Sequence, residues 1–136
     1  MPKAMEIEKF EGFHQIRKAN LDVSVLTIRH THLKCFRKWL SEIFPKLTEL
    51  SIINCGLRTI CKDDLVGFED LNVLNLQYNN LKTMPDDLFK NCYHLSEINL
   101  SHNKIRRISA GLLSQHISTT LYHFNLRGNH SINELY

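Results

Sequence analysis

The chain has 136 residues, 43% of them apolar and 23% charged, the ordinary composition of a soluble globular chain and a length that suits one domain. A net charge of +3, with no aromatic platform beside the cations, argues against nucleic acid as a partner. No apolar run approaches about 18 residues, so no membrane-spanning segment is expected.

In chain order, residues 1–22 come first, with Phe10, Phe13 and Ile16 set among charges. They read as an amino-terminal cap or flanking segment, and "MPKAMEIEKFEGFHQI" contains no apolar core of a secretory signal. From Val23 onward the chain repeats itself. A weak copy places Val23, Leu26, Ile28, Leu33 and Phe36 at positions 1, 4, 6, 11 and 14, with Thr31 at position 9. A clean copy follows at 47, with Leu47, Leu50, Ile52, Leu57 and Ile60, and Cys55 at position 9. Two more, starting at 71 and 95, carry Leu71, Leu74, Leu76, Leu81 and Met84, then Leu95, Ile98, Leu100, Ile105 and Ile108, with Asn79 and Asn103 at position 9. A last copy opens at 121 with Leu121, Phe124, Leu126 and Asn129, and the chain stops inside it. Neither a period of 2 nor one of 3.6 describes any copy throughout, whereas a spacing of 24 residues, 26 at the last step, describes their succession, and self-similarity of this kind signals a solenoid.

"LNVLNLQYNNL" and "LSEINLSHNKI" match L-x-x-L-x-L-x-x-N-x-L, so the stretch from Val23 to Asn129 resembles the leucine-rich-repeat family in its 24-residue class. The wording of the repeats is similar to insect leucine-rich immune proteins and Toll-type ectodomains. The resemblance implies an α/β solenoid: a right-handed curved stack with parallel β-strands on the concave face and irregular or short helical segments on the convex face. The domain is expected over 23–136, four to five repeats of which the last is truncated. Positions 4 and 6 point to one side of a short strand and build a continuous core, while asparagine at position 9 satisfies backbone groups of neighbouring turns. Cys55 substitutes there as a small buried residue with a weak donor, and Cys92 also falls on the inward pattern. Cys35 and Cys61, on adjacent turns, are candidates for a bridge across the stack or for free thiols.

Chemistry is hard to find. The eight histidines come without C-x-x-C, H-E-x-x-H, a glycine-rich phosphate loop or G-x-S-x-G, so no catalytic, metal or cofactor site is expected and the chain reads as no enzyme. His30 and His102 share position 8 but are separated by two whole repeats, too far to ligate one ion. Asp63–Asp64 and Asp86–Asp87 fall where a turn or short helix begins, a capping place rather than a carboxylate pair.

Binding is what the architecture offers, because solenoid curvature makes an extended concave surface from the outward strand residues. Those expected to meet a protein partner are Glu49, Ser51, Ile53, Val73, Asn75, Gln77, Tyr78, Glu97, Asn99 and His102, with Tyr78, Ile53 and Val73 central. Position 5 is small and polar in every copy: Thr27, Ser51, Asn75, Asn99 and Asn125. Position 12 makes a basic stripe of Lys34, Arg58, Lys82 and Arg106, able to attract an acidic partner or simply to keep the rim soluble. Two N-x-[ST] sequons occur; Asn99 at position 5 is expected to face solvent and could carry a glycan if the protein is secreted, whereas Asn129 at position 9 points inward. The expectation is a protein-binding module, a piece of a longer extracellular recognition protein, with an intracellular adaptor as the alternative that a literal reading of the signal-free start favours.

Overall fold

The computed structural model describes residues 3–7, 22–36, 39–113 and 116–130, without the side chains of residues 116 and 118. Phe10, Phe13 and Ile16 lie outside them. Six strands, β1 (Lys3–Ile7), β2 (Val23–Arg29), β3 (Glu49–Ile53), β4 (Val73–Asn75), β5 (Glu97–Asn99) and β6 (His123–Asn125), form one parallel sheet in the order of the sequence. The pairing joins Leu26 to Leu50, Leu50 to Leu74, Leu74 to Ile98 and Ile98 to Phe124, so a step of one repeat in sequence is a step of one strand at zero offset. The last step is two residues longer than the others. A 3-10 turn at Ala110–Leu113 and a short helix, α2 (His116–Thr120), take up the excess on the convex side, and the register across β5 and β6 is kept.

β1 extends the sheet beyond the repeats. Its Met5 and Ile7 pair with Leu26 and Ile28, and Ile7 joins the core at 8% exposure. Behind the strands one apolar cluster runs continuously from Ile7 to Ile117. Positions 1, 4, 6 and 11 of the copies starting at 71 and 95 are sealed completely. The convex side contributes Leu40, the first residue of α1 (Leu40–Ile43), and Phe44, which caps its end, together with Leu65, Phe68, Phe89 and Leu112. Phe36 meets Phe68 edge-on at 6.3 Å, tying one turn to the next. Burial of this kind, shared between neighbours, is what makes a stack of repeats stable where a single repeat has no core of its own. In the last copy Leu121, Phe124 and Leu126 are half-buried and packed against the cluster.

Asn79, 5% exposed, shows why position 9 needs an amide. Its Oδ1 accepts from the backbone N–H of Cys55 (3.0 Å) and Leu57 (3.2 Å), and its Nδ2 donates to the carbonyls of Ile52 (2.7 Å), Leu76 (2.9 Å) and Gln77 (3.2 Å). Asn103 and Asn129 repeat the pattern, accepting from Leu81 (3.1 Å) and Ile105 (2.9 Å). Backbone that leaves the strand would otherwise enter the core with unpaired polar groups. The convex acidic pairs lie in turns rather than helix: the carboxylate of Asp64 accepts from the Cys61 N–H at 2.6 Å, and Asp86 accepts from the Ser109 hydroxyl.

Candidate protein-binding surfaces

On the concave face the asparagines of position 5 turn out to be committed. The Oδ1 atoms of Asn75, Asn99 and Asn125 accept from the backbone N–H two residues on, at Gln77 (3.1 Å), Ser101 (3.0 Å) and Arg127 (3.0 Å). A side chain that captures its own backbone in this way competes with the sheet ladder. Strands β4, β5 and β6 each end at that asparagine, whereas β2 and β3, with Thr27 and Ser51 at position 5, run two residues further to Arg29 and Ile53. Position 5 therefore sets strand length, and the amide nitrogens are what it leaves for a partner; that of Asn99, a half-buried residue, donates to Gln77 Oε1 at 3.2 Å.

Longer β3 has a consequence for Ile53, which the sequence reading placed at the centre of the exposed face. Paired with Arg29 in the ladder, it is only 8% exposed, and it stands outside the core cluster. It offers little area. Ser51, Val73, Asn75, Gln77, Glu97 and Asn99 are half-buried, and Glu49, Tyr78 and His102 are exposed.

The most distinctive geometry lies where the strands turn off the sheet. Position 8 is left-handed in all five copies: φ is +53° at His30, +53° at Asn54, +57° at Tyr78, +54° at His102 and +77° at Gly128. Gly, Asn and His tolerate this region; a tyrosine there is unusual. Tyr78, 51% exposed, stacks face to face on His102 with ring centres 4.4 Å apart and planes within 2°. The His102 ring in turn covers Gly128, where an added Cβ would come within 2.5 Å of Nδ1. Asn54 Nδ2 and His30 Nδ1 meet at 3.0 Å one turn apart. At the opposite, strand-entry edge Tyr122 is 74% exposed and its hydroxyl donates to Glu97, a bond that holds the phenol above its ordinary pKa. Sequence reasoning named Tyr78 and His102 but missed both their contact and Tyr122; Gly128 and Asn54, sharing a repeat position with Tyr78, were the signals of a left-handed column.

The basic stripe of Lys34, Arg58, Lys82 and Arg106 is exposed along four successive turns. It opens into two adjoining clefts. One, of about 670 Å³, is lined by Lys82, Thr83, Lys104, Arg106, Arg107 and His130; the other, of about 410 Å³, by Arg58, Thr59, Asn80, Lys82 and Lys104. Lys104 and Arg107 were absent from the sequence-based stripe because they stand at positions 10 and 13, beside it rather than on it.

All four cysteines are free: Cys55 and Cys92 buried, Cys35 and Cys61 exposed. Cys35 pairs across the turns with Thr59 in an isolated parallel bridge, so Cys61 stands two residues beyond its direct partner. Burial pushes the Cys92 thiol up to about 12, which makes it a packing group and not a nucleophile. Cys55 fills the asparagine place with sulfur, donating toward the carbonyls of Ile53 (3.3 Å) or Ile28 (3.5 Å) and accepting from the Thr31 hydroxyl (3.5 Å).

Comparison with known proteins agrees with this architecture. The family described as leucine rich repeat matches residues 45–105 and 69–131. Among curated relatives, adenylate cyclase of Schizosaccharomyces pombe is 32% identical over 80 residues, 59% of this chain and 5% of the relative. Osteomodulin of Rattus norvegicus is 58% identical over 33 residues, 24% of this chain and 8% of the relative. Human PH domain leucine-rich repeat-containing protein phosphatase 1 is 31% identical over 80 residues, 58% of this chain and 5% of the relative. The chain thus spans less than a tenth of each, and the likeness to the cyclase is a partial match in its repeat region that carries no cyclase activity across. In fold, the leucine-rich-repeat domain of APL1 superposes with a TM-score of 0.75 at 16% identity, over 93% of this chain and 34% of that one, a likeness of fold. Among the described residues no helix is long and apolar enough to cross a membrane. Repeat by repeat and strand by strand, the chain belongs to the leucine-rich-repeat family, whose domains generally serve as protein–protein interaction modules.

Proposed function

We propose that this chain is a protein-recognition module, part of a larger extracellular recognition protein of innate-immune type, and that its partner meets the concave face along the edge formed by Tyr78 and His102. The observation that carries the reading is that stacked pair: an amphipathic aromatic, half exposed, held in a left-handed turn that a bulky residue occupies only at a cost of about 1–2 kcal/mol. Strain kept in place at a surface is a pointer to function, and a rigid tyrosine is the residue type that anchors interfaces. Around it Asn75, Gln77, Glu97 and Asn99, with the apolar Val73, supply a mostly polar, half-buried floor. The family and the fold of the APL1 domain support the recognition role. A glycan on Asn99 would take one of the two hydrogens of the amide that donates to Gln77, cover part of this face and move the contact toward Glu49 and Ser51.

The intracellular adaptor has one observation in its favour. Cys35 and Cys61 are exposed thiols, which reducing surroundings preserve and oxidising ones do not. A photo-reactive residue placed at Tyr78, and separately at Val66, 48% exposed and outside the concave face, tests the surface. Cross-linking in native extract to a discrete protein from position 78 and not from 66 is expected; equal capture from both would contradict it. Running the same extract and its culture medium with and without glycosidase separates the compartments, with a glycosidase-sensitive species in the medium expected.

A further inference from the structure

The two basic clefts are unlike the concave face in every respect that matters for choosing a ligand. Their lining contains Arg58, Lys82, Lys104, Arg106, Arg107 and His130 and, among the described residues, no carboxylate. Arg58, Lys82, Lys104 and Arg106 have no ion-pair partner among the described residues, and the surface pair found there, Arg29 with Glu6, lies elsewhere on β2 and β1. Lys82 and Lys104 line both clefts, so the two are one trough crossing successive turns. Thr59, Thr83 and Asn80 add neutral hydrogen-bonding groups, and no Phe, Tyr or Trp lines either cleft.

These features sort the candidate polyanions. Single-stranded nucleic acid wants aromatic platforms for its bases, which the trough lacks. An extended acidic peptide wants a desolvated apolar anchor, and its same-side carboxylates recur every ~6.8 Å, out of step with cations on turns ~4.8 Å apart. A hydrophilic chain with anionic groups of several oxygens each suits Arg forks and Lys point charges, and its hydroxyls suit the threonines and Asn80.

We propose that this trough is a second binding site, separate from the concave face, for a sulfated polysaccharide lying along the solenoid axis. The proposal rests on the extracellular part of the function given above, since that is where such chains are met. The solenoid would then hold a protein on its strands and a surface glycan on its flank.

The test is the affinity of the 136-residue chain for a defined heparin oligosaccharide, measured by calorimetry at several salt concentrations from about 0.05 to 0.2 M. Binding at about 0.15 M salt is expected. The double substitution K82E/R106E is expected to weaken it by about tenfold or more and to flatten the log–log salt slope by about two. K62E/K90E, which makes the same change in net charge at exposed positions outside both clefts, is expected to change it by less than about threefold, because non-local charge is screened. If K82E/R106E lowers the melting temperature, K82Q/R106Q replaces it. Equal losses in the two double variants, no binding of heparin at about 0.15 M salt, or equally tight binding of a charge-matched oligoglutamate or single-stranded DNA would each overturn the proposal. Tyr78→Ala leaves heparin affinity unchanged, so failure at the trough and failure at the concave face are told apart, and fractionation of the native protein tests the compartment independently.

Discussion

The turns built on β2 and β3 and those built on β4 to β6 keep the same pitch by different chemistry. In the later turns Asn75, Asn99 and Asn125 end each strand early, and Asn79, Asn103 and Asn129 then carry the departing backbone into the core on amide hydrogen bonds. In the earlier turns threonine and serine stand at position 5, the ladder continues to Arg29 and Ile53, and position 9 holds Thr31 and Cys55. There the Leu33 N–H, whose counterparts Leu57, Leu81 and Ile105 donate to an asparagine side chain, donates to the Cys55 backbone carbonyl at 2.8 Å. More strand compensates for less ladder. The repeat therefore demands that each backbone group find a partner within its own turn or the next, and leaves open which residue provides it.

Breaking the stronger ladder has the largest expected effect. Asn79→Ala leaves the buried N–H groups of Cys55 and Leu57 and the carbonyl of Ile52 without that amide, and we expect a loss of about 3 kcal/mol in urea unfolding followed by circular dichroism. A loss below about 1 kcal/mol would mean that other acceptors replace the amide, as the Cys55 carbonyl does for the Leu33 N–H. Gly128→Ala comes next. It combines a left-handed φ of +77° with a Cβ on the His102 ring, and a loss of about 2 kcal/mol is expected, with the Tyr78 ring signals of an NMR spectrum shifting as the stack is displaced. The smallest change sharpens the contrast from the other side. Cys55→Asn gives the earlier turn the amide of the later ones, for an expected gain of about 1 kcal/mol in the same unfolding assay; a loss would show that the space beside Thr31 has been fitted to sulfur.

What the sequence made legible follows the same division. Leucine spacing gave the register outright, since Leu50, Leu74 and Ile98 at 24-residue steps pair at zero offset, and it gave the core layer by layer. β1 escaped because Met5 and Ile7 alone, without the leucines that surround them in a full copy, match any alternating segment. The left-handed column escaped because Tyr78 carries no mark of it, and the marks that Asn54, Gly128 and the histidines of position 8 do carry show only when the copies are compared at that position. Ile53 was misplaced for a related reason: alternation assigns a side, but the length of the strand, decided by Ser51 two residues earlier, determines how much of that side is covered. The stripe of position 12 was visible as a column, yet the cleft it borders depends on Lys104 and Arg107, which a column-by-column reading separates.

On the proposed reading, recognition centres on Tyr78 and His102 at position 8, while the amides of position 9 serve the stack itself. The measurement that tests this most directly is the affinity of Tyr78→Ala for the protein cross-linked at that site, taken together with its melting temperature. We expect affinity to fall by about 2 kcal/mol, roughly thirtyfold, at an unchanged melting temperature. Affinity within about twofold of the native chain would remove Tyr78 from the interface and contradict the assignment.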